Sequence, residues 1–427
     1  MTNAEAGPGG RPESSVLMST YPPTPVTFVR GEGTRLYDED GRRYLDFLSG
    51  LAVTALGHCH PVVTEAIAEQ ARTLVHVSNL FGNVVGPDVA ATLDRLVGGG
   101  TPAGGRVFLA NSGAEANECA IKLARRWAGP GRFVVVSAYG SFHGRTLATL
   151  HATGQPSKHE PFQPLPEGFR HVAWDDIGDL ERAVDGSVVA AVLLEPIQGE
   201  GGVNPPAPGF LTAVRRLCDE SGALLMLDEI QTGLGRTGRW FAFQHEGIVP
   251  DVVTVAKALG NGVPIGACWA RGEVAEAFKP GDHGSTFGGQ PLAAAAAKAT
   301  LGVMEDADVP ALATAAGAQL RQGLADLPGV TGVRGQGLLL AAELDDAVAK
   351  DVTARALAAG LVVNAVTEKA VRLAPPLLVS SDEIEEAVAI LGQVLREQRA
   401  AGPGGRPDDA AGPGGRPDDG DARAGTA

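Results

Sequence analysis

Cysteine is scarce and scattered. Cys59, Cys119, Cys218 and Cys268 are the four in the chain, and no two of them form a C-x-x-C pair. That excludes a disulfide scaffold and a zinc ribbon. His58-Cys59-His60 offers adjacent metal-binding groups, but no second cluster supplies further ligands, so a loop and no metal site are expected there. The sequence also lacks a Lys/Arg cluster, which argues against a nucleic-acid partner. Its net charge of −15 does not exclude an anionic substrate, because local arginines can still bind one. No apolar stretch is long enough to span a bilayer, and no basic region followed by an apolar run opens the chain. A cytoplasmic protein without a membrane partner is expected.

What is present divides into ends and middle. Ala6-Gly7-Pro8-Gly9-Gly10-Arg11-Pro12 recurs from Ala401 to Pro407 and again from Ala411 to Pro417. Such Gly/Pro density without apolar residues does not offset the entropy of ordering, so 1–17 and 399–427 are expected to be disordered tails. Between them the length suits one large and one smaller domain. The expected division is an N-terminal segment 18–85 packing with the small domain, a large domain 86–290, and a small α+β domain 291–398.

Asp40-Gly41 between alternating segments signals a hairpin. Apolar runs at Arg106–Ala110, Phe133–Ser137, Val188–Leu194, Ala223–Leu227 and Val252–Ala256 read as strands. Helical patterns such as Glu115–Trp127 and Leu211–Glu220 lie between most of them. The alternation predicts an α/β fold with a mostly parallel central sheet covered on both faces. After an Ala-rich helix, Leu292–Met304, strands are expected near Gly337–Leu344 and Val371–Leu373. A last helix, Asp382–Arg396, has Ser380 and Glu383 at capping-box spacing.

Two of the strand runs each end in a charge. Asp228 follows one, before Glu229-Ile230-Gln231-Thr232-Gly233, and Lys257 follows another. Each could be an ordinary surface residue. Together, at strand tips of an α/β sheet, an amine and a carboxylate suit pyridoxal phosphate: the amine condenses with the aldehyde, and the carboxylate keeps the ring nitrogen protonated. Asn111-Ser112-Gly113-Ala114-Glu115-Ala116-Asn117 follows a strand and opens a helix, which makes either a plain cap or a phosphate cradle. In Tyr139-Gly140-Ser141-Phe142-His143-Gly144-Arg145-Thr146, Phe142 can cover a ring or sit in the core. Arg145 can grip a carboxylate or form a surface ion pair. His143 is expected to be a structural hydrogen-bonding group. Gly284-Ser285-Thr286-Phe287-Gly288-Gly289 is a turn that could also offer groups to a phosphate. Arg372 lies inside an apolar segment and needs a partner, for which Glu200 is the candidate.

These segments, with Glu195-Pro196-Ile197-Gln198-Gly199-Glu200 and Leu227–Gly238, resemble class III pyridoxal-phosphate aminotransferases, in the family's order and over about residues 20 to 396. Gly41–Phe47 and Ala52–His60 look most like the acetylornithine-specific subgroup, which serves arginine biosynthesis. The resemblance implies fold type I and pyridoxal 5'-phosphate as cofactor. Lys257 and Asp228 would be catalytic, with Gln231 on the ring hydroxyl and Phe142 stacked on the ring. Ser112, Gly113 and Ala114 would hold the phosphate. Thr286 of a neighbouring subunit would complete that site, which implies a homodimer with shared active sites. Arg145 would bind the substrate's distant carboxylate beside Ser285, and Arg372 would be masked by Glu200 until glutamate or 2-oxoglutarate binds. The implied reaction moves the terminal amine of N-acetylornithine to 2-oxoglutarate; succinylornithine, ornithine and 4-aminobutyrate are the alternative donors. Leu51 stands where ornithine aminotransferases carry tyrosine. Thr54 departs from the subgroup's frequent asparagine. A silent protein on this scaffold would lack the lysine or the aspartate, and both are present.

Overall fold

The computed structural model describes residues 16–184 and 188–401. Apart from residues 16–17 and 399–401, the expected tails lie outside that range. The chain starts with an antiparallel meander of β1 (Phe28–Glu32), β2 (Arg35–Asp38) and β3 (Arg43–Asp46). The turn between β2 and β3 runs through Asp40-Gly41 as expected. Gly41 has φ 78°, and the Asp38 carboxylate accepts from Arg42 N at 2.8 Å. β3 then pairs in parallel with β13 (Leu361–Val362), which ties the N-terminal segment to the C-terminal lobe.

Seven strands make the central sheet: β4 (Arg106–Ala110), β5 (Val134–Ala138), β6 (Phe169–Val172), β7 (Val189–Leu194), β8 (Leu224–Asp228), β9 (Val252–Val255) and β10 (Gly266–Ala270). Their order is β4-β10-β9-β8-β7-β5-β6, and only β10 runs against the rest. β5, β7, β8 and β9 are buried along their whole length, which is why they read as unbroken apolar runs. β6 and β10 were not expected. Gly266-Ala267-Cys268-Trp269-Ala270 has little β-branched character, and only its neighbours make it a strand. The Gly113–Ala128 helix lays Ala116, Cys119, Ala120, Ile121, Leu123 and Ala124 against this sheet and stops at Gly129, with φ 77°.

The C-terminal lobe carries an antiparallel sheet of β11 (Val330–Gln336), β12 (Leu339–Leu344), β14 (Asn364–Thr367) and β15 (Ala370–Leu373), in the order β11-β12-β15-β14. The closing helix runs Ser381–Ala401, so the expected tail boundary at 399 falls inside it. Its capping box is complete: Ser380 Oγ accepts from Glu383 N at 3.3 Å, and Glu383 Oε2 accepts from Ser380 N at 2.9 Å. The Pro291–Asp306 helix packs on the Pro61–Thr73 and Val85–Val97 helices.

Candidate active site

Parallel strands deliver their C-terminal ends to one edge of a sheet, where α/β proteins bind ligands. Here that edge brings together Asn111–Ala114 after β4, Phe142–Arg145 after β5, Glu195 and Glu200 after β7, Asp228 at the tip of β8 and Lys257 after β9. They line a cavity of about 380 Å³, with Val53, Gln231 and the Gly262–Ile265 approach to β10.

Lys257 has φ 44°, a left-handed conformation that a side chain rarely adopts. Its amine has neither a hydrogen bond nor an ion pair among the described residues. Burial pulls its pKa below the ordinary lysine value, which Glu200 opposes and Arg372 reinforces, so a larger fraction is neutral and nucleophilic. Asp228 is held by three donors. Oδ2 takes Asn117 Nδ2 at 2.7 Å and faces His143 Nδ1 at 2.8 Å, and Oδ1 accepts from Ile230 N at 3.1 Å. Asn117 is itself fixed, donating to His143 O at 2.8 Å and accepting from Thr254 Oγ1 at 2.7 Å. The carboxylate is therefore rigid while still lining the cavity.

Ser112 caps the Gly113–Ala128 helix, its Oγ accepting from Glu115 N at 3.2 Å. Glu115 reaches back to Asn111 N at 2.7 Å. The Gly113 and Ala114 N–H groups have no intrahelical acceptor and stand at the cavity wall, the arrangement that binds a phosphate. A Cβ at Gly113 would meet Ile230 Cδ1 at 2.6 Å, so the isoleucine side chain would have to shift. Phe142 is half-buried, and its N–H donates to Glu195 Oε2 at 3.0 Å. Glu195 Oε1 accepts from Gly199 N at 3.1 Å. Burial pushes the Glu195 pKa up to about 7, despite these donors and His143. Arg145 is exposed, its guanidinium 5.5 Å from the Phe142 ring centre.

Arg372, on β15, is 1 % exposed and reaches Glu200 Oε1 at 2.6 Å. Its Nη1 also approaches Gln231 Oε1 at 3.3 Å, its Nε donates to Asn364 Oδ1 at 3.1 Å, and its Nη2 is buried without a partner. Burial alone would raise the Glu200 pKa. The guanidinium, Lys257 and Gln231 outweigh it and hold the carboxyl below its usual range.

The sequence profile of the class-III aminotransferases matches residues 17–395. The chain belongs to the class-III aminotransferase family. It is 47% identical to the acetylornithine aminotransferase of Caldanaerobacter subterraneus, over 91% of this chain and 99% of that protein. Against the enzyme of the same name from Corynebacterium efficiens it is 49% identical, over 90% of this chain and 96% of the relative. Among solved structures, the ornithine aminotransferase of Toxoplasma gondii superposes with a TM-score of 0.85 at 37% identity, covering 90% and 93% of the two chains. The acetylornithine aminotransferase of Elizabethkingia anophelis superposes with a TM-score of 0.79 at 33% identity, covering 89% and 96%.

The aminotransferase is pyridoxal-phosphate dependent, and the donor set fits that group. Two free helix N–H groups suit its phosphate, a fixed carboxylate its ring nitrogen, and an unpartnered amine its aldehyde. Three expected site residues, Arg372, Ser285 and Thr286, are not among those that line the cavity of this chain. Thr286 is exposed, and Ser285 Oγ accepts from Asn111 Nδ2 at 3.1 Å from behind the wall. Asn117 and Glu195 acquire structural parts that the sequence reading had not assigned. The one available signal for Asn117 was an amide on the otherwise apolar face of its helix. His58 bonds Asp46 Oδ2 at 2.7 Å.

Proposed function

We propose that this aminotransferase moves the terminal amine of N-acetylornithine to 2-oxoglutarate, giving N-acetylglutamate 5-semialdehyde and glutamate. The observation that carries this reading is near-half identity, across nine-tenths of the chain, to proteins named acetylornithine aminotransferase. The aliphatic Leu51 agrees with it, since such a side chain offers no hydrogen bond to the free α-amine of ornithine.

Bound in the cavity, pyridoxal phosphate supplies an aldehyde that captures the substrate amine and a protonated ring that accepts electrons from the carbon losing its proton. The residues do the rest. Ser112, Gly113 and Ala114 would hold the phosphate, Phe142 would cover the ring, and Gln231 would bond the ring hydroxyl. Asp228 would keep the ring nitrogen protonated through a charge-assisted bond that strengthens as charge develops. Lys257 would hold the aldehyde, and its Nζ would take the proton from the substrate carbon. Burial lowers its pKa, which favours the neutral form that can act as a base. Arg145 receives a substrate carboxylate. The Glu200–Arg372 pair, closed, presents a neutralised wall to N-acetylornithine; opened, it offers a second cation to the dicarboxylate.

A second copy of the chain completes the site in this reading. Thr286 and Ser285 lie on the outer side of the cavity wall, and Phe287, Leu80, Phe81 and Val84 are exposed apolar side chains of the kind a partner covers. Among the described residues no helix is long and apolar enough to cross a membrane, and the free thiols suit a reducing cytoplasm.

Specificity constants for N-acetylornithine, ornithine, succinylornithine and 4-aminobutyrate, each with 2-oxoglutarate, test the reading. N-acetylornithine is expected to lead by at least about tenfold. A higher value for ornithine refutes the assignment.

A further inference from the structure

The segment entering the cavity wall is wound the wrong way. Ser49, Gly50, Leu51 and Ala52 have φ of 51°, 60°, 69° and 63°, so four consecutive residues form a left-handed turn. Only one of them is glycine. For the other three the Cβ crowds the following carbonyl, so the turn persists only where its surroundings impose it. Val53 leaves the turn and lines the cavity.

The restraints are visible on both sides. Asp46, 1 % exposed, accepts from Leu48 N at 3.0 Å and Ser49 N at 2.8 Å through Oδ1, and its Oδ2 meets His58 Nε2 at 2.7 Å. Ala52 is pressed into a small apolar cluster with Ile197, Val203 and Leu339. Downstream, Asn261 accepts from Leu56 N at 2.8 Å and donates to Gly57 O at 3.1 Å. Side-chain hydroxyls of the turn do none of this: Ser49 Oγ and Thr54 Oγ1 are buried without partners. The turn also closes on itself, Leu51 N and Ala52 N donating to Leu48 O at 2.9 Å and Val53 N to Ser49 O at 2.7 Å, and the Asp46 carboxylate is the side-chain acceptor that anchors its entry.

We propose that Asp46 and His58 are positioning residues for substrate selection. Asp46 holds the left-handed turn, His58 fixes the Asp46 carboxylate, and the turn in turn sets Val53 in the wall of the cavity that receives the donor substrate. The proposal rests on the reading of the donor as an N-acylated diamino acid. Without the anchor the turn relaxes toward ordinary backbone, and the wall that separates acylated from free α-amines moves.

The test compares wild type, Asp46→Ala, His58→Ala and Asp46→Ala/Ser49→Gly as full-length, cofactor-loaded enzyme. The readouts are the ratio of kcat/KM for N-acetylornithine over ornithine and amide exchange of the peptide covering 48–56. Losing two N–H bonds to a carboxylate is expected to cut the ratio about tenfold in Asp46→Ala, with faster exchange in that peptide. His58→Ala, which leaves both N–H bonds in place, is expected to lose a smaller share. Glycine at position 49 removes the Cβ that opposes φ 51° and costs no hydroxyl bond, so it is expected to recover most of the ratio. An unchanged ratio with uniformly lower rates, or no recovery in the double variant, overturns the proposal. If Asp46→Ala does not fold, His58→Ala decides it: a wild-type ratio with wild-type exchange refutes the positioning role. A wild type that does not prefer N-acetylornithine refutes the underlying donor reading instead, and it does so before any variant is made.

Discussion

Glu200→Gln isolates the charge of the Glu200–Arg372 pair with almost no change of shape. In the wild type Arg372 is 1 % exposed and Glu200 31 %, with Nη1 and Oε1 2.6 Å apart. A ligand carboxylate that binds Arg372 must first displace Glu200. Hydrogen bonds to charged groups contribute about 1.5–3 kcal/mol, against about 0.5–1.5 for neutral ones, so the amide is easier to displace by about 1–2 kcal/mol. That difference corresponds to about five- to thirtyfold in the KM for 2-oxoglutarate, which should fall. The N-acetylornithine half-reaction should move the other way, because an unmasked guanidinium accepts the wrong carboxylate. Single-turnover kinetics of each half-reaction, with a melting curve as the folding control, measure both. A shift of equal size and sign in the two half-reactions refutes the switch. The same pair has an acid limb. Its carboxyl lies below the ordinary value, so the stabilisation is complete above the usual carboxylate range and is lost as pH falls through the lowered value. Glu200→Gln should lack that limb.

Lys257→Ala is expected to abolish the visible absorbance that the cofactor develops when linked to the lysine, and to stop turnover; an unaltered spectrum sinks the assignment. Arg236 is 2 % exposed and among the described residues has no carboxylate partner, bridging the lobes through Leu338 O at 3.2 Å and Pro375 O at 2.5 Å. Arg236→Ala leaves a cavity and two bereft carbonyls, and should cost about 3 kcal/mol or more in urea unfolding; a loss under about 1 kcal/mol contradicts the bridge. Glu229 has Thr232 Oγ1 at 2.5 Å and Phe243 N at 3.0 Å but no cation among the described residues, and burial pushes its pKa up to about 7 from 4.5. A raised carboxyl favours the protonated folded state, so its cost is absent below the unfolded value and grows as pH rises toward 7. Glu229→Gln should remove that decline, of order 3 kcal/mol between pH 4.5 and 7. Parallel pH–stability curves for variant and wild type would show the site ionises normally.

The strands that carry the site were legible because parallel strands buried on both faces must be apolar throughout, and a charge at the end of such a run is conspicuous. Asp228 and Lys257 stand out for that reason, and so does Arg372, a cation inside the apolar segment Val371–Leu373. A buried cation also demands an anion, and Glu200, in a Gly-rich loop after an apolar strand, is a carboxylate that can supply it. What stayed hidden depends on contacts across the chain. Asn117 sits one helical turn inside an apolar face, and its bond to Asp228 joins residues 111 positions apart, so periodicity shows the amide but not its use. β10 is a strand because β4 and β9 flank it, not because Gly, Ala and Cys prefer extended backbone. The left-handed turn at Ser49–Ala52 is the extreme case. Nothing in Ser, Leu or Ala favours positive φ, so local preference points away from the observed backbone. Such a conflict between local and tertiary demands is expected where function has fixed the geometry. That is why the segment least readable from its residues also carries the strongest expectation about substrate choice.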